Sequence, residues 1–427
     1  MKKFKLFILS FLMFSANSLR AESVDEALRK YINFFGINTI PTHQKISNRA
    51  QIELGKHLFI APIISGNRNI NCLTCHDPMK GTSDALSLSQ THDGKGILKR
   101  NSQHLYNTGL KTRVHMFWDG RVSFNPTTKE FQTPEVSFNG PNPIRSDITE
   151  VMTSALSMQV IFPMVNDLEM KGRVGENEIA NAKTNLEAFD LIVKRLIKHP
   201  KFKSQIIAAY PDVELSKINI GHIGEALAEF IREEFHSEGA PVHQYVKGDL
   251  KALSERQKLG FLTFIEKGKC NACHMGGEFG NNTFYASVGV PQFGARPFSK
   301  DIGRGEIKGE EFKKYFFRVP SLINLKVTAP YFHNGAYTTI RDVINHYSNI
   351  EIFSSSFDLS SDRRSSFPVE VEVEVITHPV DQREIFQSIQ APFLKKGLNF
   401  TEIEKDALED FLTNGLMDPK FDLPSNF

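Results

Sequence analysis

Two stretches, NCLTCHDP at residues 71–78 and KCNACHMG at residues 269–276, each contain the pentapeptide Cys-x-x-Cys-His. Between them they use all four cysteines of the chain: Cys72, Cys75, Cys270 and Cys273. The histidines that close the two motifs are His76 and His274. Cysteines confined to two copies of one motif tie the fold to whatever those two sites hold.

The compartment bears on what that is. The N-terminus, MKKFKLFILSFLMFSANSLRAES, places Lys2, Lys3 and Lys5 before an apolar run from Leu6 to Phe14, with small residues after it. This is the order of a secretory signal peptide, too short to span a bilayer. It predicts a signal segment of about residues 1–21, with cleavage after Ser18 or Ala21. The remainder shows no membrane-span pattern, so the mature protein is expected to be soluble and periplasmic. A formal net charge of +2, with 23% charged residues, gives no basic surplus that would point to nucleic acid.

In an oxidising compartment four cysteines could form two disulfides. Cys-x-x-Cys also serves as a redox dithiol or as half of a zinc site. None of these needs a histidine directly after each pair. Covalent haem c attachment does, because two thiols bond the porphyrin vinyl groups and the adjacent imidazole reaches the iron. The expectation is two covalently bound haems.

A similar lead-in precedes each site: LGKHLF (Leu54 to Phe59) and LGFLTF (Leu259 to Phe264), each with Gly and Phe four apart as on one helix face. This weak repeat suggests two related helical domains. Apolar residues three and four apart predict helices in NEIANAKTNLEAFDLIVKRLIKH and IGHIGEALAEFIREEF, and TEIEKDALEDFLTNGL opens with capping-box spacing at Thr401 and Glu404. VEVEVEVI (Val369 to Ile376) alternates as an exposed hairpin strand, inside a polar stretch from Ser354 to Gln382 that looks like an insertion. Asn125 to Ile148 reads as a loop. The fold class expected is mainly α: two cytochrome-c-like helical haem domains with short β elements and loop insertions. The division runs near Ala240 to Asp249, giving an N-terminal haem domain over 22–245 and a C-terminal one over 246–427.

Beyond the haem motifs, RNSQHLYN (Arg100 to Asn107), FWDGR (Phe117 to Arg121), SMQVIFPMVNDLEM (Ser157 to Met170) and VPSLINLKVTAPYFHNGAYTTIRDVINHY (Val319 to Tyr347) occur in a specific order. The ordered set resembles the bacterial di-haem cytochrome c peroxidase family, which includes the methylamine-utilisation protein MauG, over nearly the whole mature chain. The resemblance implies a peroxidatic haem, held by His76, and a second haem, held by His274, that stores or relays electrons. It places Gln159, Pro163 and Glu169 on the open face of the first haem. Heterolytic cleavage of hydrogen peroxide needs a base that takes a proton from the near oxygen and returns it to the departing one, which a carboxylate there can do. On composition alone Glu169 would be a solvated surface carboxylate.

Trp118, the single tryptophan beside 35 phenylalanines, matches the family's electron relay between the haems; otherwise it is a large core side chain. His92, in QTHDGKG, stands where peroxidase members carry a histidine that caps the resting iron, whereas MauG-like members keep that iron open; His104 and His115 are weaker candidates. For the sixth ligand of the second haem the C-terminal half offers only Met275, adjoining His274, and the distant Met417. The matching position, eight residues after Thr339, holds Tyr347, as in MauG; His346 or no residue are the alternatives. A tyrosinate donates more charge to iron than a thioether and lowers its potential. Asn101, Thr328 and Pro330 match positions that hold a calcium ion through one side-chain amide and backbone carbonyls, and His333 and Asn334 match propionate contacts. Where the family carries Arg in an LRN segment this chain has Ile323.

The resemblance leads to a MauG-like oxidase that passes oxidising equivalents to a partner protein, with a cytochrome c peroxidase drawing electrons from a small cytochrome or copper protein as the alternative. A non-enzymatic di-haem carrier would need no distal acid, and the Gln159, Pro163 and Glu169 set argues against it.

Overall fold

The computed structural model describes residues 22–42, 48–296, 299–360 and 364–422; the signal segment lies outside them. Side-chain caps set the helix starts. The Asn48 side chain accepts from Gln51 N to open the Arg49–Ile60 helix. Ser254 and Gln257 form a capping box before Glu255–Ile265, and Thr401 and Glu404 form one before Glu402–Asp410. The segment expected to be helical from Asn177 starts only at Asn185, behind the Thr184 cap, and runs to Lys198. The Ile220–Glu234 helix is close to expectation.

Two helix crossings organise the molecule. Arg49–Ile60 packs on Ile220–Glu234, and Glu255–Ile265 packs on Glu402–Asp410. At the first, a Cβ on Gly55 would lie 2.0 Å from the Ala226 carbonyl oxygen; at the second, a Cβ on Gly260 would lie 2.0 Å from the Ala407 carbonyl oxygen. Only glycine lets either pair of backbones approach so closely. The phenylalanines four residues on complete the repeat: Phe59 meets Phe230 at 5.3 Å between ring centroids, and Phe264 meets Phe411 at 5.9 Å. The lead-in repeat is thus one crossing built twice.

Each crossing sits in its own apolar core, the first gathering Leu58, Phe59, Phe189 and Phe230, the second Phe261, Phe264, Phe279 and Phe411. The cores are not cut from consecutive chain. The Val24–Phe35 helix, at the start of the span expected for the first domain, buries Leu28 and Ile32 in the second core. The expected linker is itself a helix, Pro241–Lys247, whose Val242 and Tyr245 join that core. The halves are locked by buried polar contacts: Asp418 accepts from Ser237 Oγ at 3.0 Å and from Gly239 N at 2.8 Å.

Strands are short. The expected loop after Asn125 begins as a hairpin, because Val122–Asn125 pairs antiparallel with Glu130–Gln132 and, on its other side, with His115–Met116. The alternating Val369–Ile376 segment forms a strand only over Val373–Val375, and its partner is Phe293–Ala295, distant in sequence, rather than a hairpin neighbour. Val369 is exposed. Among the described residues no helix is long and apolar enough to cross a membrane.

Candidate functional site: two Cys-x-x-Cys-His centres and the wall between them

The two Cys-x-x-Cys-His segments share one local architecture. His76 N donates to Cys72 O at 2.9 Å and His274 N to Cys270 O at 2.8 Å, so each motif is one tight turn. Each imidazole then donates its Nδ1 proton to a backbone carbonyl, His76 to Thr82 O at 3.1 Å and His274 to Phe279 O at 3.0 Å. That bond fixes the tautomer and leaves the Nε2 lone pair for a metal. Burial favours the neutral ring in both: it lowers His76 and takes His274 down to about 4. The two pairs do not converge on one zinc site, since no group of three or more His, Cys, Asp or Glu side chains that could hold a metal occurs among the described residues.

Around the second motif lies a large, mostly apolar cavity whose wall includes Cys270, Cys273, His274 and Tyr347. Burial pushes the Tyr347 phenol well above its usual range, with the thiols of Cys270 and Cys273 near enough to add to the shift. Its neighbour His346 turns the other way. His346 Nε2 donates to Val288 O at 2.8 Å while Nδ1 meets Tyr337 Oη at 3.1 Å, so both ring nitrogens are engaged within the protein. Met275 is exposed and Met417 is buried away from this wall.

One region of the cavity is cationic. Arg113 and Arg318 line it beside His104, whose ring burial keeps neutral by lowering it to about 3, and buried Arg113 Nε and Arg318 Nη1 have no hydrogen-bond partner. Burial, and then the charge of Arg113, pulls the Arg318 guanidinium down to about 9. Buried donors without acceptors are costly, and carboxylates would satisfy them. An apolar chamber with two thiols, a prepared imidazole and a cationic wall fits a porphyrin bearing two carboxylates. Sequence reasoning did not single out Arg113 or Arg318, because an arginine without a motif reads as surface. Ile323, where the family's arginine is missing, is fully buried in the second core.

The wall toward the first motif carries the residues expected between the haems. Trp118, Asn101, Thr328, Pro330 and His333 all line the same cavity. Asn101 N donates to His333 O at 2.7 Å, and Asn101 Nδ2 donates to Leu86 O at 2.7 Å. The His333 ring stacks on Phe317 at 3.6 Å between centroids. Asn334 Nδ2 donates to Pro291 O at 2.8 Å, and its Oδ1 is buried without a partner.

At the first motif the chain folds SMQVIFPMVNDLEM over the Cys-x-x-Cys-His turn. Ala155–Gln159 is helical, Phe162–Val165 is a 3-10 turn, and Met170 N donates back to Pro163 O at 3.2 Å. This closes the loop that carries Glu169, whose charge is felt at the Cys75 thiol. Burial pushes the Glu169 carboxyl above its usual range, and Arg121 pulls partly against it. Arg121 is held by stacking on Phe117, 3.6 Å from the ring centroid, and by pairing with Asp119 at 3.0 Å.

His92 lies on the flank of this loop. Its N donates to Leu168 O at 3.0 Å, and its buried Nε2 stands 3.8 Å from Glu176 Oε2. His115 is occupied elsewhere, its Nδ1 donating to Asn282 O at 2.9 Å.

Fold and site together define a two-centre haem protein built for redox chemistry. A family model described as di-haem cytochrome c peroxidase matches residues 49–251. Cytochrome-c peroxidase IdrP2 of Denitromonas iodatirespirans is 29% identical over 328 residues, spanning 71% of this chain and 74% of its own. Methylamine utilization protein MauG of Methylophilus methylotrophus is 28% identical over 311 residues, with 71% and 74% covered. Among solved structures, a MauG-like protein associated with microbial copper homeostasis shares the fold, with a TM-score of 0.59 at 20% identity over 90% of this chain and 94% of that one. The protein is a di-haem oxidoreductase of the peroxidase type, acting on hydrogen peroxide.

Proposed function

We propose that this protein is a periplasmic, MauG-like oxidase that holds two haem c groups by thioether links at Cys72/Cys75 and Cys270/Cys273. Haem iron, when bound, supplies the redox chemistry with peroxide. His76 and His274 would hold the irons through Nε2. Glu169 holds and moves the proton, taking it from the near oxygen of peroxide and delivering it to the far one, a role that suits a carboxyl raised by burial. Gln159 and Pro163 shape the space around it. Arg113 and Arg318 would bind the carboxylates of the second porphyrin, supplementing the expected contacts of His333 and Asn334. Trp118 conducts electrons between the halves, and Asn101, Thr328 and Pro330 hold a calcium ion beside it. Two haem domains, one per core, are the units of this design.

The observation that carries the MauG-like reading is Tyr347, which faces the cavity of His274 while His346 is tied up elsewhere. The experiment is reaction of the diferric protein with peroxide. A long-lived oxidised state shared by both sites is expected. Rapid bleaching, with efficient steady turnover of a reduced small cytochrome instead, would establish the peroxidase reading. That second reading draws on His92, whose backbone bond to Leu168 seats it next to the Glu169 loop, where a capping residue would be needed.

A further inference from the structure

Tyr315 joins the cavity of the second centre to the protein surface. Its side chain lines the cavity with His274 and Tyr347, and the residue is only 3% exposed. Its hydroxyl donates to Glu384 Oε2 at 2.9 Å. Glu384, on the Pro379–Gln387 helix, has a side chain 38% exposed, so its carboxyl exchanges protons with solvent. Lys314 Nζ lies 2.9 Å from Glu384 Oε1, and Lys300 Nζ lies 3.5 Å from Oε2.

The other two tyrosines on the wall lack this arrangement. Tyr331 donates to the Leu325 carbonyl, which is a poor base, and Tyr347 faces the porphyrin-binding end. Tyr315 is also held at φ 65°, a left-handed conformation that a bulky residue adopts at a cost. The fold maintains that conformation while the ring reaches inward and the hydroxyl reaches Glu384.

A phenol that loses one electron becomes a far stronger acid, so its oxidation needs a base already in contact. Lys314 first, and then Tyr315 and Lys300, hold Glu384 below its usual range despite partial burial, so it is ionised and ready to accept at neutral pH. Burial, and then Glu384, push the resting Tyr315 phenol above its own range, so it keeps its proton until oxidised.

We propose that Tyr315 is a redox-active relay, with Glu384 as its proton acceptor, through which oxidising equivalents leave the second centre. This rests on the function proposed above. Tyr315 gives one electron to the peroxide-oxidised cofactor site, its O–H bond breaks, and the proton passes to Glu384 Oε2, leaving a neutral phenoxyl radical and a carboxylic acid. An electron from an oxidisable side chain of a protein docked at the Lys314–Glu384 face, with the proton returned from Glu384, restores the pair.

The test is freeze-quench paramagnetic resonance of the diferric holoprotein mixed with peroxide. A tyrosyl signal is expected in the wild type. Tyr315→Phe should abolish it, with haem content and the initial peroxide reaction unchanged. Glu384→Gln, which keeps an acceptor for the hydroxyl but no base, should lose most of it. Peroxide oxidation of the haems with no tyrosyl signal, or with one that persists in Tyr315→Phe, overturns the relay and leaves the proposed function standing. Haems that do not react with peroxide in the wild type overturn both.

Discussion

The indole Nε1 of Trp118 donates to the backbone carbonyl of Asn101 at 2.9 Å. One bond thereby fixes the orientation of the expected electron relay on the residue expected to bind calcium. The Arg100 side chain, next to Asn101, continues the lock: it pairs with Asp119, beside Trp118, and with Asp301 from the second half, each at 2.6 Å. The bridge between the halves is therefore a single braced unit. If Asn101, Thr328 and Pro330 hold calcium as proposed, a chelator should alter the spectra of both haems together and slow electron sharing between them. Trp118→Phe should reproduce the slowing while leaving calcium content, measured by elemental analysis, intact.

The brace makes a stability prediction. Burial would raise the Asp301 carboxyl, but the Arg100 charge outweighs it and holds the group below its usual range. A carboxylate depressed in the folded state adds stability above its unfolded pKa and loses it as pH falls through the folded value. Arg100→Leu leaves buried Asp301 with only Lys99 at 3.6 Å and takes from buried Asp119 one of its two arginine partners, and should cost about 3–5 kcal/mol, read by chemical denaturation at neutral pH. The loss should shrink toward low pH, where those carboxylates become protonated.

Glu169→Gln should retain both haems and slow the peroxide reaction by about 10²- to 10⁴-fold in stopped flow. The sign of the pH effect follows from the raised carboxyl. The base form is lost as pH falls, so the rate should drop on the acid side, at a pH above the ordinary glutamate range. That limb should vanish in the variant.

Under the proposed ligation, Tyr347→Met would exchange a tyrosinate for a thioether and should raise the reduction potential of the second haem, measured by spectroelectrochemistry. The first haem's potential should move little. An unchanged second potential would remove Tyr347 from the iron.

Gly55→Ala and Gly260→Ala each place a methyl group 2.0 Å from a backbone oxygen of the partner helix. Each should destabilise its own core by about 1–3 kcal/mol or more, seen as a lower Tm, because neither backbone can yield without opening the crossing.

These glycines also show what could be read in the chain. The repeat Leu-Gly…Phe was visible, and so was the helical character of both halves. Its complement went unread, though it was present: Ala226-Leu-Ala-Glu-Phe230 and Ala407-Leu-Glu-Asp-Phe411 supply the facing Ala and Phe of each crossing. Chain order concealed that the Val24–Phe35 helix lies on the second core, since amphipathicity demands a partner without naming it. Alternation over Val369–Ile376 suggested a longer strand than the three residues that pair, because the available partner is only Phe293–Ala295. The two Cys-x-x-Cys-His segments were legible as haem sites because their chemistry needs particular residues at fixed spacing. Arg113 and Arg318 were not, since their role arises from burial together and not from spacing. His346 and Tyr347 are adjacent in sequence, and the helix turns one inward to Val288 and the other to the cavity.

Low-temperature paramagnetic resonance of the purified, haem-matured diferric protein, before and after stoichiometric peroxide, tests the central claim most directly: two porphyrin irons, one keeping a face free for peroxide. The account predicts one high-spin and one low-spin ferric signal at rest, both diminished by peroxide. Two low-spin signals that peroxide leaves unchanged, or a single ferric signal, would contradict it.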